Sequence, residues 1–284
     1  MAGFHSELNR LSKTKKIVSY LPERLKFRAL KALYNYEADD IHGIDLVAPL
    51  QNDGLVCFIN TKDIIGWKIF FYGEYESSTN KIIKKYINPG DVVIEAGANL
   101  GSETLLLSRL VGDTGKVYGF EPNPFIFERL KMNLAINELK NVDIHDIALG
   151  ESNEIIYFNI YTKGFCNPGM SSKYISNKDT RKISVPQMTL DAFVAKHNVS
   201  KVDFIKMDIQ GAEIDLFNGA AATISKFRPL IFTEADQYCL DMKVLHEKLT
   251  SSGYKVYLIK ENENIFIPSP AEAVDGNWLG VYGK

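Results

Sequence analysis

From Asn80 onward, short unbroken apolar runs alternate with stretches of helical period. Asp91–Ala96 (DVVIEA), which follows the Pro89-Gly90 turn, is one such run, as are Lys116–Glu121 (KVYGFE), Val142–Ile147, Val202–Asp208 (VDFIKMD) and Pro229–Thr233 (PLIFT). Continuous runs of this length are the pattern of strands buried on both faces. Between them the spacing predicts helices: Glu103–Val111, a stretch introduced by Pro122 and Pro124 with Phe127, Leu130 and Leu134 on its apolar face, and Leu190–Asn198 behind Thr189 as N-cap. A short helix after Gly211 and a longer one over Leu240–Ser252 continue the series, and Tyr254–Lys260 and Trp278–Tyr282 read as closing strands. Strands alternating with helices of about 10–15 residues predict βαβ units and a doubly wound, mostly parallel α/β sheet.

The first 80 residues follow a different pattern. Ile17, Leu21, Leu25, Leu30 and Leu33 recur near helical spacing among Lys, Arg and Glu, so residues 1 to about 45 read as amphipathic helix. Such a segment can be a lid, an acceptor-site or dimer element, or a membrane-surface helix; packing on its own domain is the favoured reading. Leu55–Asn60 and Trp67–Phe71 read as short strands, ending in the aromatic run Phe70, Phe71, Tyr72 and Tyr75. Glu154–Tyr161 is strand-like, and residues 162–182 read as a polar loop. The expected organisation is an N-terminal extension over 1–80 and a ligand-binding domain over 81–284, with specificity for the reaction partner carried by the extension and the 162–182 loop.

Charge and cysteine narrow the class. Lys plus Arg is 33 and Asp plus Glu 35, a formal charge of −2, which lacks the basic surplus of a general nucleic-acid binder. Cys57, Cys166 and Cys239 are widely separated and form no C-x-x-C pair or zinc-spaced cluster, so reduced thiols are expected. No stretch approaches the roughly 20 apolar residues of a membrane span, and the first 20 residues lack a signal-peptide apolar segment. A soluble cytoplasmic protein, with homo-oligomerisation left open, is the expectation.

Ligands of such a sheet bind at the carboxyl ends of its strands. The loop after the first strand reads Glu95-Ala96-Gly97-Ala98-Asn99-Leu100-Gly101-Ser102, a G-x-x-x-G spacing without the third glycine of the dinucleotide fingerprint. A loop with no pyrophosphate to cradle points to a nucleoside ligand without phosphates, such as S-adenosylmethionine. Glu121 ends the second strand, 20 residues past Gly101, where a carboxylate can accept both ribose hydroxyls; alternatively it complements the following helix N-terminus. Asp146 ends the third strand, where it can meet an adenine amino group or be an ordinary strand-end carboxylate.

The segments VIEAGANLGSETLLLS (93–108), VYGFEPNPFIFERLKMNLAIN (117–137), IALGE (147–151), TLDAF (189–193) and DFIKMDIQGAEIDLFNGA (203–220) resemble, in order and spacing, the blocks of FkbM-family methyltransferases over roughly residues 80–260. The resemblance implies a class I (Rossmann-like) methyltransferase fold. It implies S-adenosylmethionine as cofactor and a hydroxyl of a glycan or secondary metabolite as acceptor. The implied cofactor residues are Glu95, Gly97, Ala98, Asn99, Gly101, Ser102, Glu121, Pro122, Asn123, Asp146, Ile147, Ala148 and Asp208. Two departures stand out: Glu95 replaces the usual Asp before the loop, and Gln210 replaces the middle Glu of D-x-E-G-x-E.

Methyl transfer to an alcohol needs alignment and a proton acceptor. Asp208, at the end of the fourth strand, is the expected base, with Glu213 one turn beyond it and Glu234 and Asp236 after the fifth strand. Glu213 equally suits helix N-terminal charge complementarity. His145 and His197 are weaker base candidates, and Asp208 with Glu234 or Asp236 can hold Mg²⁺, although no metal is expected. Tyr72, Tyr75, Phe165 and Trp67 are candidate pocket aromatics, Trp67 more readily core. The competing classes are a nicotinamide-dependent oxidoreductase, disfavoured by the absent third glycine, and a non-catalytic S-adenosylmethionine-binding protein. An amino-methyltransferase of nucleic acids would carry D/N-P-P-Y where this chain has Asp-Ile-Gln-Gly.

Overall fold

The computed structural model describes residues 2–35, 43–51, 54–161, 171–174, 180–235, 241–260 and 264–283. The described residues form two compact units, one within 2–75 and the other within 76–283.

In the first unit, α1 (Ala2–Ser19) and α2 (Glu23–Leu33) precede the antiparallel pair β1 (Asp45–Pro49) and β2 (Val56–Asn60), followed by α3 (Ile64–Tyr72). Its core gathers Leu11, Val18, Leu30, Tyr34, Ile44 and Trp67, with the Trp67 indole N–H donating to the Tyr34 carbonyl at 3.0 Å. The expected strand at Trp67–Phe71 is instead part of α3. An unbroken apolar run fits a buried helix as well as a buried strand. Here the ends decide, since Asp63 caps the first turn by accepting from the Ile65 N–H at 2.8 Å, and Gly73, at φ 81°, closes the last.

The second unit opens with α4 (Ser77–Tyr86) and then runs β3 (Val92–Ala96), α5 (Ser102–Val111), β4 (Lys116–Phe120), α6 (Pro124–Ile136) and β5 (Val142–His145). After an inserted sheet come α7 (Leu190–Lys196), β9 (Phe204–Met207), α8 (Glu213–Gly219), α9 (Ala221–Phe227) and β10 (Leu230–Ala235). The unit closes with α10 (Met242–Ser251), β11 (Tyr254–Ile259), β12 (Asn264–Ile267) and β13 (Gly276–Tyr282). The eight-stranded sheet has the order β5-β4-β3-β9-β10-β13-β11-β12. Its first five strands are parallel, and β13 is antiparallel to both β10 and β11.

Both faces are covered. Ile94, Phe120, Ile205, Leu216 and Leu245 fill one side, while Val93, Leu107, Val117, Phe204 and Phe232 fill the other. This is the class I methyltransferase arrangement, and it bears out the doubly wound, mainly parallel sheet expected from the sequence. The connections reverse direction between β3 and β9, so the ligand crevice lies at the carboxyl ends of those two strands.

The insertion holds a three-stranded sheet of β6 (Ala148–Leu149), β8 (Thr180–Met188) and β7 (Glu154–Tyr161) in the order β6-β8-β7. β8 corrects the reading that left this stretch without a strand. Pro186, facing Ile155, breaks the usual strand signature, and the buried positions Val185 and Gln187 alternate with exposed ones.

Candidate active site

The glycine loop begins where β3 stops. Gly97 and Ala98 both donate their N–H groups to the Phe120 carbonyl at 3.0 Å, tying the loop to the end of β4. Gly97 sits at φ 82°, and a Cβ there would lie 1.9 Å from the Asp208 carbonyl oxygen. Only glycine allows this backbone to rest on the end of β9. Gly101, at φ 98°, makes the entry into α5, which Ser102 starts.

Glu121 follows β4 and is 8% exposed. Its two oxygens are anchored separately: Oε1 accepts the Asn123 N–H at 2.8 Å and Oε2 the Asn99 N–H at 3.0 Å. Burial pushes this carboxyl up to about 7, against the two backbone hydrogen bonds that favour its charge. Asn123 caps α6 through the Phe125 N–H and donates from its amide to the Ser171 hydroxyl. An open cleft lies beside these groups. Gly97, Glu121, Pro122, Ile147, Ala148 and Asp208 line one part of it, and Ile156, Phe158, Ser171, Lys173, Gln187 and Gln210 another. Asp146 is exposed and absent from that lining, whereas its neighbours Ile147 and Ala148 take part.

A second group of polar side chains converges at the ends of β9 and β10. The Gln210 amide nitrogen lies 3.2 Å from Asp208 Oδ1 and 3.4 Å from Glu234 Oε2, and Asp208 also hydrogen-bonds Glu234. Sequence reasoning treated Gln210 only as a departure from a motif; here it bridges the two carboxyl groups. Asp208 has a side-chain exposure of 24% and faces the cleft.

Beneath the glycine loop lies Lys206, 0% exposed, in register beside Glu95. Its ammonium is 3.4 Å from both Glu103 Oε2 and Asp208 Oδ2. Glu95 accepts the Thr104 hydroxyl at 2.6 Å, and Glu76 is held by the Thr79 hydroxyl at 2.8 Å. Burial raises Glu76, Glu95 and Glu103, while these anions together hold Lys206 well above its usual value. For Asp208 burial works upward, but the Lys206 ammonium and the hydrogen bonds from Glu234 and Gln210 outweigh it and lower the carboxyl. Sequence reasoning missed Lys206, Glu103 and Glu76. The signal was available for Lys206, because a lysine inside VDFIKMD cannot be buried without anionic partners.

The remaining candidates separate. Glu95 turns away from the cleft into this ionic cluster, under the loop rather than in its mouth. Glu213 is 2% exposed and accepts the Ile209 N–H at 3.0 Å, so it closes the 209–213 turn at the start of α8. His145 and His197 pack against Phe193, and His145 also stacks on the cleft residue Phe120, but neither histidine lines the cleft itself. Trp67 is core of the first unit, and Cys57 is buried there with burial pushing its thiol up. Asp236, Phe165, Cys166 and Cys239 lie outside the described residues.

Four carboxyls held near 7 predict an unusual pH dependence. Glu76, Glu95, Glu121 and Glu213 are each raised from 4.5 to about 7. The folded state therefore binds their protons more tightly, and the stability they confer is lost as pH rises through about 7. Asp208, lowered below 3.8, acts in a separate window, losing its contribution only as pH falls through its folded value. Thermal unfolding of the ligand-free protein should show the midpoint falling as pH is raised from about 5.5 to 8. A midpoint that climbs steadily over this interval would show the carboxyls to be ordinary.

Comparison with known proteins identifies the family. The methyltransferase FkbM domain matches residues 95–256. "Methyltransferase 1" of Beauveria bassiana is 25% identical over 146 residues, covering 45% of this chain and 57% of its own length. "2-O-methyltransferase NoeI" of Sinorhizobium fredii is 26% identical over 166 residues, covering 54% of this chain and 67% of its own. The chain thus matches little more than half the length of the Beauveria relative. Among solved structures, methyltransferase FkbM from Methylobacillus flagellatus KT has a TM-score of 0.45 at 16% identity, covering 78% of this chain and 53% of that one. With more than half of its residues inside the matched domain, the chain belongs to the FkbM-domain family of S-adenosylmethionine-dependent methyltransferases.

Proposed function

We propose that the protein transfers a methyl group from S-adenosylmethionine to a hydroxyl of a saccharide or small natural product. The observation that carries this reading is the convergence of Asp208, Gln210 and Glu234 at the ends of β9 and β10, beside the glycine loop. The 2-O-methyltransferase among the relatives supports transfer to oxygen.

The residues fit the cofactor. Gly97 lets the loop close onto the end of β9 at the edge of the cleft, and Glu121 presents a fixed carboxylate at its rim. When bound, S-adenosylmethionine supplies a methyl group activated by its sulfonium. Glu121 takes the ribose hydroxyls, and Gly97, Ala98 and Asn99 position the methionine part through the backbone. Asp208, kept ionised by Lys206, accepts the proton of the acceptor hydroxyl, while Gln210 and Glu234 fix its orientation. Alignment of this kind is worth up to about 7–11 kcal/mol. The wall of Ile156, Phe158, Lys173 and Gln187 gives a polyhydroxylated acceptor both an apolar face and polar anchors.

The test is a mass-spectrometric screen of hydroxylated acceptors for gain of one methyl group, repeated with Asp208→Asn. The variant should bind S-adenosylhomocysteine within a few-fold of wild type and lose about 10²–10⁴ in kcat. Full activity in the variant would remove Asp208 from the chemistry. A loss reproduced by a chelator and reversed by Mg²⁺ would replace the base by a metal site.

A further inference from the structure

The transfer reaction makes no use of the charge pattern at the start of the chain. Residues 1–35 hold eight lysines and arginines against two glutamates, in a chain of net charge −2. α1 buries Glu7, Leu11, Thr14 and Val18, spaced at i, i+4, i+7 and i+11, as its inward face. On the opposite side Lys13, Lys16, Ile17 and Tyr20 follow one another at i, i+3, i+4 and i+7, and all four are exposed, Ile17 by 53% and Tyr20 by 79%. α2 repeats the arrangement. Leu30 points inward, while Leu25, Arg28 and Ala32 face outward, Leu25 at 43% exposure.

The inward faces already have their partners, because Leu11, Val18 and Leu30 pack around Trp67 in one core. What is left outside is a set of large apolar side chains interleaved with cations, and the described side chains of these two faces include no carboxylate. Phosphate recognition on a nucleic acid uses such cations but gains nothing from Ile17 and Leu25. A fluid anionic surface uses both, since apolar groups enter the acyl boundary while lysine and arginine meet the headgroups. No helix among the described residues is long and apolar enough to cross a membrane, so the pair would lie on the surface.

We propose that the outward faces of α1 and α2 dock this protein on an anionic lipid bilayer. The full chain is to be sedimented with phosphatidylcholine vesicles and with vesicles in which about a third of the lipid is phosphatidylglycerol. At about 0.1 M salt it should pellet with the anionic vesicles only, and about 0.5 M salt should release it. Lys13→Gln with Lys16→Gln should weaken partitioning about tenfold or more. Ile17→Asp with Leu25→Asp should do the same, and both double variants should bind S-adenosylhomocysteine as wild type does, which shows that they fold. Absence from the anionic pellet, equal binding to neutral vesicles, or wild-type partitioning of the double variants would each overturn the proposal. A dimer abolished by Ile17→Asp in a protein that ignores vesicles would assign the same face to a second copy of the chain.

Discussion

Lys206→Met is expected to destabilise the protein by about 3–5 kcal/mol, the cost of removing one partner from a buried ion pair. The methionine occupies nearly the same volume but leaves Glu76, Glu95, Glu103 and Asp208 without their cation. For a domain of this size that loss lowers the thermal midpoint by about 6–20 °C. Part of it is recoverable, since the orphaned carboxyls can retain protons. The deficit should therefore be smaller at about pH 5.5 than at pH 8, and adding Glu103→Gln should restore some stability. Urea unfolding of the single and double variants at both pH values measures these quantities. A deficit below about 1 kcal/mol that does not vary with pH would mean that the cluster is effectively solvated.

The second large effect is expected at Glu121, and it concerns affinity. Removing the carboxylate in Glu121→Ala should weaken S-adenosylhomocysteine about 10- to 100-fold, as charge-assisted hydrogen bonds of roughly 1.5–3 kcal/mol are lost. A reading from sequence alone makes Glu121→Gln the milder change, since an amide oxygen can still accept. The structure reverses that order of severity. Both oxygens already accept backbone N–H groups, from Asn99 and Asn123, so the glutamine NH₂ must face one of these donors. Donor then meets donor in a buried setting, and the glycine loop loses one of its ties to the end of β4. Calorimetric titration should place the glutamine variant at or below the alanine variant in affinity. Equal affinities for all three proteins would show that the ribose lies elsewhere.

What could be read from the residues follows from which forces are local. The parallel strands were legible because DVVIEA, KVYGFE and VDFIKMD are short, mostly apolar runs in regular alternation with helical stretches, the pattern of strands covered on both faces. The glycine loop was legible because its conformation demands particular residues. α3 was misread since its fate turned on the Asp63 cap rather than on hydrophobicity. β8 was missed because Pro186 and polar alternation hid it, and its pairing with β7 is a tertiary fact. The same limit applies to the site. Asp208 stood out by position, yet its ionisation depends on Lys206, whose partners Glu103 and Glu76 come from distant segments. Asp146 carried the right position in the chain but projects into solvent.

The placement of β13 bears on how the molecule is assembled. This strand lies between β10 and β11, although it follows both in the chain. Until residues 276–282 arrive, β10 keeps an open edge at Ile231, Phe232 and Thr233, all fully buried or nearly so in the finished sheet. Two partial sheets must wait with complementary hydrogen-bonding edges for a late insertion, and long-range pairing of this kind is slow. Until it is filled, the gap offers an edge with which a strand of a neighbouring molecule can also pair. Crowded nascent chains are therefore competitors with β13 for its slot.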